Sequence, residues 1–552
     1  MEDKKKKNTS VSKKEEVSEK TEDINIIIDN NAVSPDGMSS DFEEKESKAG
    51  KVVVIVLLVI IALGLIAGGV YLALNKDEEK PDIVDVEPVE YKSSYKMNGN
   101  SIQDFDLYFL QLNNEVKNKV YSPLSIKYAL AMLNEGAKGD SNKQIKAVIG
   151  DYKTKKYNVN EHMSFANAVF LKNSFKESVN ESFVTGLGDK FGAEVIYDSF
   201  EKPDAVNNWV SEKTFNLVKN MTDDISQNDF ILVNALAINM EWNKRIQASP
   251  ENFMDEYSVA FAHEKYSHYI PIYDALNPGE IDFNDKKVKA LEFGASINNY
   301  DIIKVLGEDN IKKNISDGYT AWLKSDESCG DDLPVDEFVA NYMKELGANY
   351  KQSISSTDFK LYDDENIKVF SKELKTYEDT TLEYVAIMPK KETLESYVKG
   401  LDAKKVSAAI DSLKDIKSEN FKDGVITKVT GFVPVFNFDY ELDLIPSLKK
   451  LGITNIFDVS TADLTGISSE NSLFVDTVMR KANIEFSNEG IKAGAATMVG
   501  GRGSVACGYE YLYDVPVETI DMTFDKPYVF LIRDKSSGEA WFIGTVYEPT
   551  LK

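Results

Sequence analysis

The residues best suited to chemistry lie near the C-terminal end of this 552-residue chain. Glu489, Gly490, Ile491, Lys492, Ala493, Gly494, Ala495, Ala496 and Thr497 make a run of mostly small side chains with no proline. In a strand, Ile491, Ala493, Ala495, Thr497 and Val499 share one face, and Lys492, Gly494 and Ala496 share the other. The first set can be buried between two existing strands, and every backbone donor stays available to a ladder. A surface loop is ordinarily richer in polar turn residues. The run therefore reads as a strand held outside its sheet.

Other chemistry finds little support. Three histidines, His162, His263 and His268, have no serine-elbow motif beside them, which argues against a hydrolase triad. Gly500-Gly-Arg-Gly503 lacks the lysine and spacing of a phosphate loop. Two cysteines make neither a disulfide scaffold nor a structural zinc cluster. No metal or other cofactor is expected, and no enzymatic activity. Acids outnumber bases 91 to 64, a net charge of -27. Nucleic acid and anionic membrane surfaces repel such a chain.

Composition then divides the chain. Residues 1–50 hold nine lysines and thirteen acids and read as a disordered tail. Residues 51–74 read as one transmembrane signal-anchor helix. Its 23-residue run from Val52 to Leu74 has no charge and spans about 35 Å as a helix, enough to cross a bilayer. A buried core helix is the alternative, but core helices seldom lack polar residues for six turns. Fifty residues precede the run, so it is no ordinary cleaved signal peptide. Lys45, Lys48 and Lys51 before it, against Lys76 and Lys80 after it, lean toward a cytoplasmic N-terminus and an extracellular remainder. Residues 75–100 are a polar linker, and 101–552 are the globular part.

The globular part opens with a helical stripe from Ser101 to Leu112. Ser122 before Pro123 is a helix start, since serine caps and proline fits the first turn. Gly136 and Gly139 should end that helix. The sequence Ser122-Pro-Leu-Ser125, the Ala129-Leu-Ala-Met-Leu133 helix and Gly136-Ala-Lys-Gly139 resemble the early helix of serpins. Further blocks follow in serpin order: Phe165-Ala-Asn-Ala-Val-Phe170, Val206-Asn-Asn-Trp-Val210, Leu232 through Trp242 and Tyr384-Val-Ala-Ile-Met-Pro389. Phe432 to Phe438, Ala462 to Ile467, Phe524 to Phe530 and Phe542 to Val546 continue the order. Each block alone is ordinary core packing, and the ordered series over some 450 residues carries the resemblance.

The resemblance implies an α+β serpin fold: helices around a large central β-sheet with a mobile reactive-centre loop. It also implies a suicide inhibitor. A serine or cysteine protease cleaves the exposed loop and is held as an acyl-enzyme. The cut loop then enters the sheet, and about fourteen inserted residues carry the acyl bond on the order of 45 Å. The hinge of that loop is the run from Glu489 to Thr497. Family spacing counted forward from Gly490 puts the scissile bond at Ser504–Val505, and counting backward from Pro527 puts it near Pro516. Arg502, Gly503, Ser504 and Val505 are the reactive-bond candidates, Arg502 being a trypsin-like target. Tyr509, Tyr511, Leu512 and Tyr513 offer chymotrypsin-like targets, but a cut eight residues later adds roughly 25 Å of slack. Ser122, Ser125, Asn234 and Trp242 match the region where the sheet opens.

The chain departs from the family pattern in three ways. Ile491 stands where threonine or serine is usual, Arg480 replaces a buried histidine beside Ser122, Ser125 and Asn234, and the loop is long. Arginine brings donors only and a permanent charge. Residues 296–365 read as an insertion, because Val288 to Leu306 and Val369 to Pro389 both resemble one strand-turn-strand stretch. Acids between Asp326 and Asp332 have no regular calcium-loop spacing. Cys329 and Cys507 would pin the loop if they paired, and two free thiols is the simpler reading. The expected function is a monomeric, membrane-tethered extracellular inhibitor whose partner is a protease. The alternative is a non-inhibitory surface protein that binds through its insertion.

Overall fold

The computed structural model describes residues 92–550 apart from 113, 158, 244–276, 326–332, 350–358, 470–472, 477, 488–489 and 492–515. All described residues belong to one compact unit, Asp85–Lys552. The apolar run from Val52 to Leu74 lies outside them. Among the described residues no helix is long and apolar enough to cross a membrane.

Helix α1 (Asp104–Leu112), strand β1 (Lys119–Tyr121), α2 (Pro123–Gly136) and α3 (Gly139–Ile149) open the fold. Helix α2 starts as its residues require. The Ser122 hydroxyl accepts from the Ser125 amide at 3.0 Å, with Pro123 in the first turn. It ends at Gly136. A Cβ there would sit 2.2 Å from Ile467, so only glycine fits. Gly139, expected to help end α2, instead begins α3. The two-residue connection is enough because the Lys138 amide bonds out to the Asp463 carbonyl at 2.9 Å.

Next come β2 (Met163–Lys172), α4 (Glu181–Phe191), β3 (Glu194–Asp198), α5 (Asp204–Lys213), β4 (Phe230–Ile238) and β5 (Met240–Glu241). Then follow β6 (Asn277–Phe283), β7 (Lys286–Asn298), and helices α6 (Ile302–Leu306), α7 (Glu308–Trp322) and α8 (Val335–Asn349). Strands β8 (Phe359–Asp363), β9 (Ile367–Glu373) and β10 (Leu382–Pro389) precede α9 (Leu394–Lys399), α10 (Ala403–Asp411) and β11 (Lys414–Asp415). The chain closes with β12 (Ile426–Pro434), β13 (Phe436–Asp443), α11 (Ile445–Lys450), β14 (Met479–Phe486), β15 (Gly490–Ile491), β16 (Val517–Asp521), β17 (Tyr528–Asp534) and β18 (Ala540–Val546).

These strands form four hydrogen-bonded groups: β1-β18-β17-β10-β9-β8-β11, β16-β12-β7-β6, β13-β14-β15-β5 and β3-β2-β4. Every residue of β10 and of β18 is buried. Such unbroken apolar runs mark strands covered on both faces. The two stretches that both resemble one strand-turn-strand stretch occupy different places: Lys286–Asn298 pairs with β12, and β9 pairs with β10 in the seven-stranded group. Residues 296–298 finish β7 and 359–363 form β8, so the part of 296–365 between these strands is the α6–α8 stretch.

An ionic group is sealed in this core. Lys127 Nζ lies 2.8 Å from Asp106 Oδ1 and 3.7 Å from Glu539 Oε1, with all three side chains essentially unexposed. The Gln103 amide donates to Asp106 Oδ2, and the Tyr157 hydroxyl donates to Glu539 Oε2, both at 2.8 Å. Burial pushes the Asp106 and Glu539 carboxyls up, and the Lys127 charge pulls them partly back.

Candidate functional site

Strands β4 and β5 are one run of chain interrupted at Asn239, so two of the four strand groups abut along it. On one side β4 pairs with β2. On the other, β14 pairs with β13 over its full length and with β15 at Phe486 alone. Between β4 and β14 no ladder is formed among the described residues, and the gap there is lined from both strands. The wedge at its head is β15, where Ile491 is paired with Phe486 on one side and Met240 on the other, and Gly490 faces Glu241.

The wedge is held by a tight turn. The Ser487 amide donates to the Gly490 carbonyl at 3.1 Å. Trp242 Nε1 donates to the Ser487 carbonyl at 3.0 Å, and its ring meets Phe486 edge-on at 5.5 Å. Tyr384 lies against both rings, and burial pushes its hydroxyl far above the usual tyrosine value. Gly490 has φ +157°, and a Cβ there would fall 2.1 Å from the Met240 carbonyl oxygen. The hinge glycine is therefore required by close approach of two backbones. Ile491 is 2% exposed, so the large β-branched residue is accommodated at the position where threonine or serine is usual in the family.

Below Ile491 the opening continues as two adjoining cavities of about 30 Å³ each. Both are lined by Leu236, Ala482, Thr214, Val218 and Phe542. Together they follow β4 from Val233 to Ile238, roughly 20 Å at the rise of a strand. The roof over the opening is the end of α5 and the turn after it. Thr214 donates to the Val210 carbonyl at 2.7 Å and accepts from the Val218 amide at 3.2 Å. Phe215 and Asn216 carry the chain through left-handed conformations there.

The lower cavity gathers Ser122, Ser125 and Asn234, three residues far apart in sequence. Asn234 donates to Asn167 Oδ1 at 2.7 Å, and Asn167 donates to the Phe191 carbonyl at 3.0 Å. Asn234 Oδ1 is buried without a donor among the described residues. The cavity beside it has room for about two waters. Arg480 sits in β14 opposite Leu442, and Leu442 and Lys481 line the same cavity. Trp242 stands apart from this group, at the hinge turn. Of the other hinge residues, Glu489 and Lys492 to Thr497 lie outside the described residues, as do Arg502, Gly503, Ser504, Val505, Cys329 and Cys507.

Sequence reasoning passed over Ser487, Thr214, Leu217 and Val218. Only the glycine-bearing turn at 487–490 had a local signal, and the roof residues carry none.

A family model described as Serpin (serine protease inhibitor) matches residues 103–258 and 348–549. Neuroserpin from Homo sapiens is 25% identical over 473 residues, covering 80% of this chain and 88% of that protein. Leukocyte elastase inhibitor from Bos taurus is 29% identical over 173 residues, 31% of this chain and 42% of its own. Among solved structures, the thermophilic serpin Tengpin in its native state aligns with a TM-score of 0.51 and 20% identity, covering 84% of this chain and 98% of that one. At that identity the likeness concerns the fold alone.

Proposed function

Because this chain belongs to the serpin (serine protease inhibitor) family, we propose that it traps a serine or cysteine protease as a covalent acyl-enzyme. The nucleophile of the protease attacks a carbonyl between Arg502 and Val505. The peptide nitrogen on the far side leaves with a proton, and the new N-terminal half of the cut loop stays bound to the enzyme as an ester of serine or a thioester of cysteine. That half then feeds into the opening between β4 and β14, carrying the protease with it. The observation that supports this reading is Ile491 already paired between β5 and β14, above two cavities lined by residues of both β4 and β14. Insertion would pair the edges of β4 and β14 and fill both cavities, which supplies a driving force.

The same proposal places the domain outside the cell. Residues 51–74 anchor it with the N-terminus in the cytoplasm, and the chain acts as a monomer against proteases reaching the cell surface. No catalytic residue of this chain and no cofactor takes part.

The test mixes residues 75–552 with trypsin-, chymotrypsin-, elastase- and subtilisin-like proteases and runs denaturing gels. A denaturant-resistant complex, cut at Arg502 or Ser504, is expected. Cleavage by all four without a complex, and with no gain in thermal stability of the cut protein, would favour a non-inhibitory surface protein acting through α6–α8.

A further inference from the structure

Helix α5 ends in a way its sequence does not favour. The Asn216 amide donates to the Ser211 carbonyl at 2.8 Å across the helix end. That bond makes Phe215 the left-handed residue of the terminating turn, a position usually held by glycine. Phe215 has φ +54°, and Asn216 follows at +62°. The end of α4 shows the ordinary solution, Gly192 at φ +60°. Asparagine tolerates the left-handed region, and the Ser211 hydroxyl donates to Asn216 Oδ1 at 3.0 Å. A bulky aromatic residue does not, so the strain sits at Phe215.

This strained turn lies over the gap between β4 and β14. Thr214, Leu217 and Val218 line the upper cavity, and Thr214, Val218 and Met221 line the lower one. Trp209, Val210 and Val218 share a core with Phe170 of β2 and with Val233 and Ala235 of β4. Across the gap, Lys481 of β14 donates from Nζ to the Asn220 carbonyl at 3.0 Å. The segment is therefore seated on β2 and β4 by apolar packing and tied to β14 by a lysine that is 33% exposed. Each cavity has room for about two waters, not for the backbone and side chains of a strand. A strand entering there has to displace Thr214, Leu217 and Val218.

We propose that the end of α5 is a strained strap across this gap, latched to β14 by Lys481, and that its lifting controls the entry of a strand. Strain at Phe215 favours lifting, and the Lys481 bond opposes it. The proposal rests on the reading of the cut loop as the entering strand. The test uses the full-length chain in neutral detergent and reads two quantities separately. Amide hydrogen exchange at residues 216–218 of the uncut protein reports lifting without any protease. The ratio of denaturant-resistant complex to cleaved inhibitor with trypsin reports insertion. Phe215→Gly and Phe215→Ala both remove the ring, but only alanine keeps a Cβ in the left-handed region. Exchange should be about three- to tenfold slower in Phe215→Gly than in Phe215→Ala, from relieved strain less the greater freedom of glycine once lifted. Lys481→Met loses one exposed charge-assisted bond and should speed exchange about two- to fivefold. The ratio of complex to cleaved inhibitor should be lower in Phe215→Gly than in Phe215→Ala. Equal exchange in the two Phe215 variants would overturn the proposal, as would unchanged exchange in Lys481→Met. Exchange that shifts while the ratio stays equal would overturn control of entry by the strap. Cleavage without resistant complex in every form, the unsubstituted chain included, would refute trapping, while the exchange rates would still decide on the strained strap.

Discussion

The substitution Ile491→Glu tests loop insertion at its first step. Ile491 is 2% exposed and paired on both sides. A carboxylate there escapes burial in one of three ways. It can withdraw with the hinge, stay charged at a cost of several kcal/mol, or take up a proton. Withdrawal is open to the uncut protein, where it forfeits the roughly 2–3 kcal/mol of isoleucine burial. After cleavage withdrawal is closed, since residue 491 must lead the strand into the sheet. Protonation then caps the penalty. From an ordinary glutamate value of about 4.3, it costs about 3.7 kcal/mol at pH 7 and about 1 kcal/mol at pH 5. Applied to the insertion barrier, these slow insertion several hundredfold at pH 7 and about fivefold at pH 5. Insertion competes with release of the acyl-enzyme. At pH 7 the variant should therefore be cleaved as a substrate with almost no resistant complex, and trapping should recover toward pH 5. The assay is the ratio of resistant complex to cleaved inhibitor with trypsin, each pH referred to the unsubstituted protein. Ile491→Gln should show a loss that does not change with pH. Trapping by Ile491→Glu at the unsubstituted ratio at pH 7 would refute the idea that residue 491 is buried during insertion.

Three further outcomes follow from the geometry. Gly490→Ala puts a Cβ 2.1 Å from the Met240 carbonyl. It should expel β15 and speed amide exchange at Ile491, with little change elsewhere in the fold. Lys127→Met leaves Asp106 and Glu539 buried without their cation and should cost roughly 3–5 kcal/mol of stability, read as a lower denaturant midpoint. Glu539→Gln keeps an acceptor for Tyr157 but cannot ionise. The folded-state value of Glu539 is raised above 4.5, so its contribution to stability is fully present below pH 4.5 and is lost as pH rises through the raised value. The variant's melting temperature relative to the unsubstituted protein should therefore climb as pH rises from about 4.5 to 8. A constant difference across that range would show that Glu539 titrates normally.

Much of the framework was legible because it rests on local rules. Ser122 and Pro123 start α2 by capping and by a fixed φ. The apolar runs at Tyr384–Pro389 and Phe542–Val546 are strands because both of their faces are buried.

What the residues alone determined about this protein, then, is the capped start of α2, its apolar strands and the order of its blocks. The opening between β4 and β14 was decided by tertiary structure, because residues such as Asn234 and Ala482 carry no record of each other at that separation. The place of Ile491 follows from the same cause: whether a strand-like run lies inside or outside the sheet depends on the space between two distant strands. Trp242 and Asn234 read as one region in sequence, yet the sheet puts one at the hinge turn and the other in the lower cavity. The Lys127 group was hidden for a related reason. A buried charge shows in sequence only as a charge, and what keeps it there is two carboxylates from elements that meet after folding.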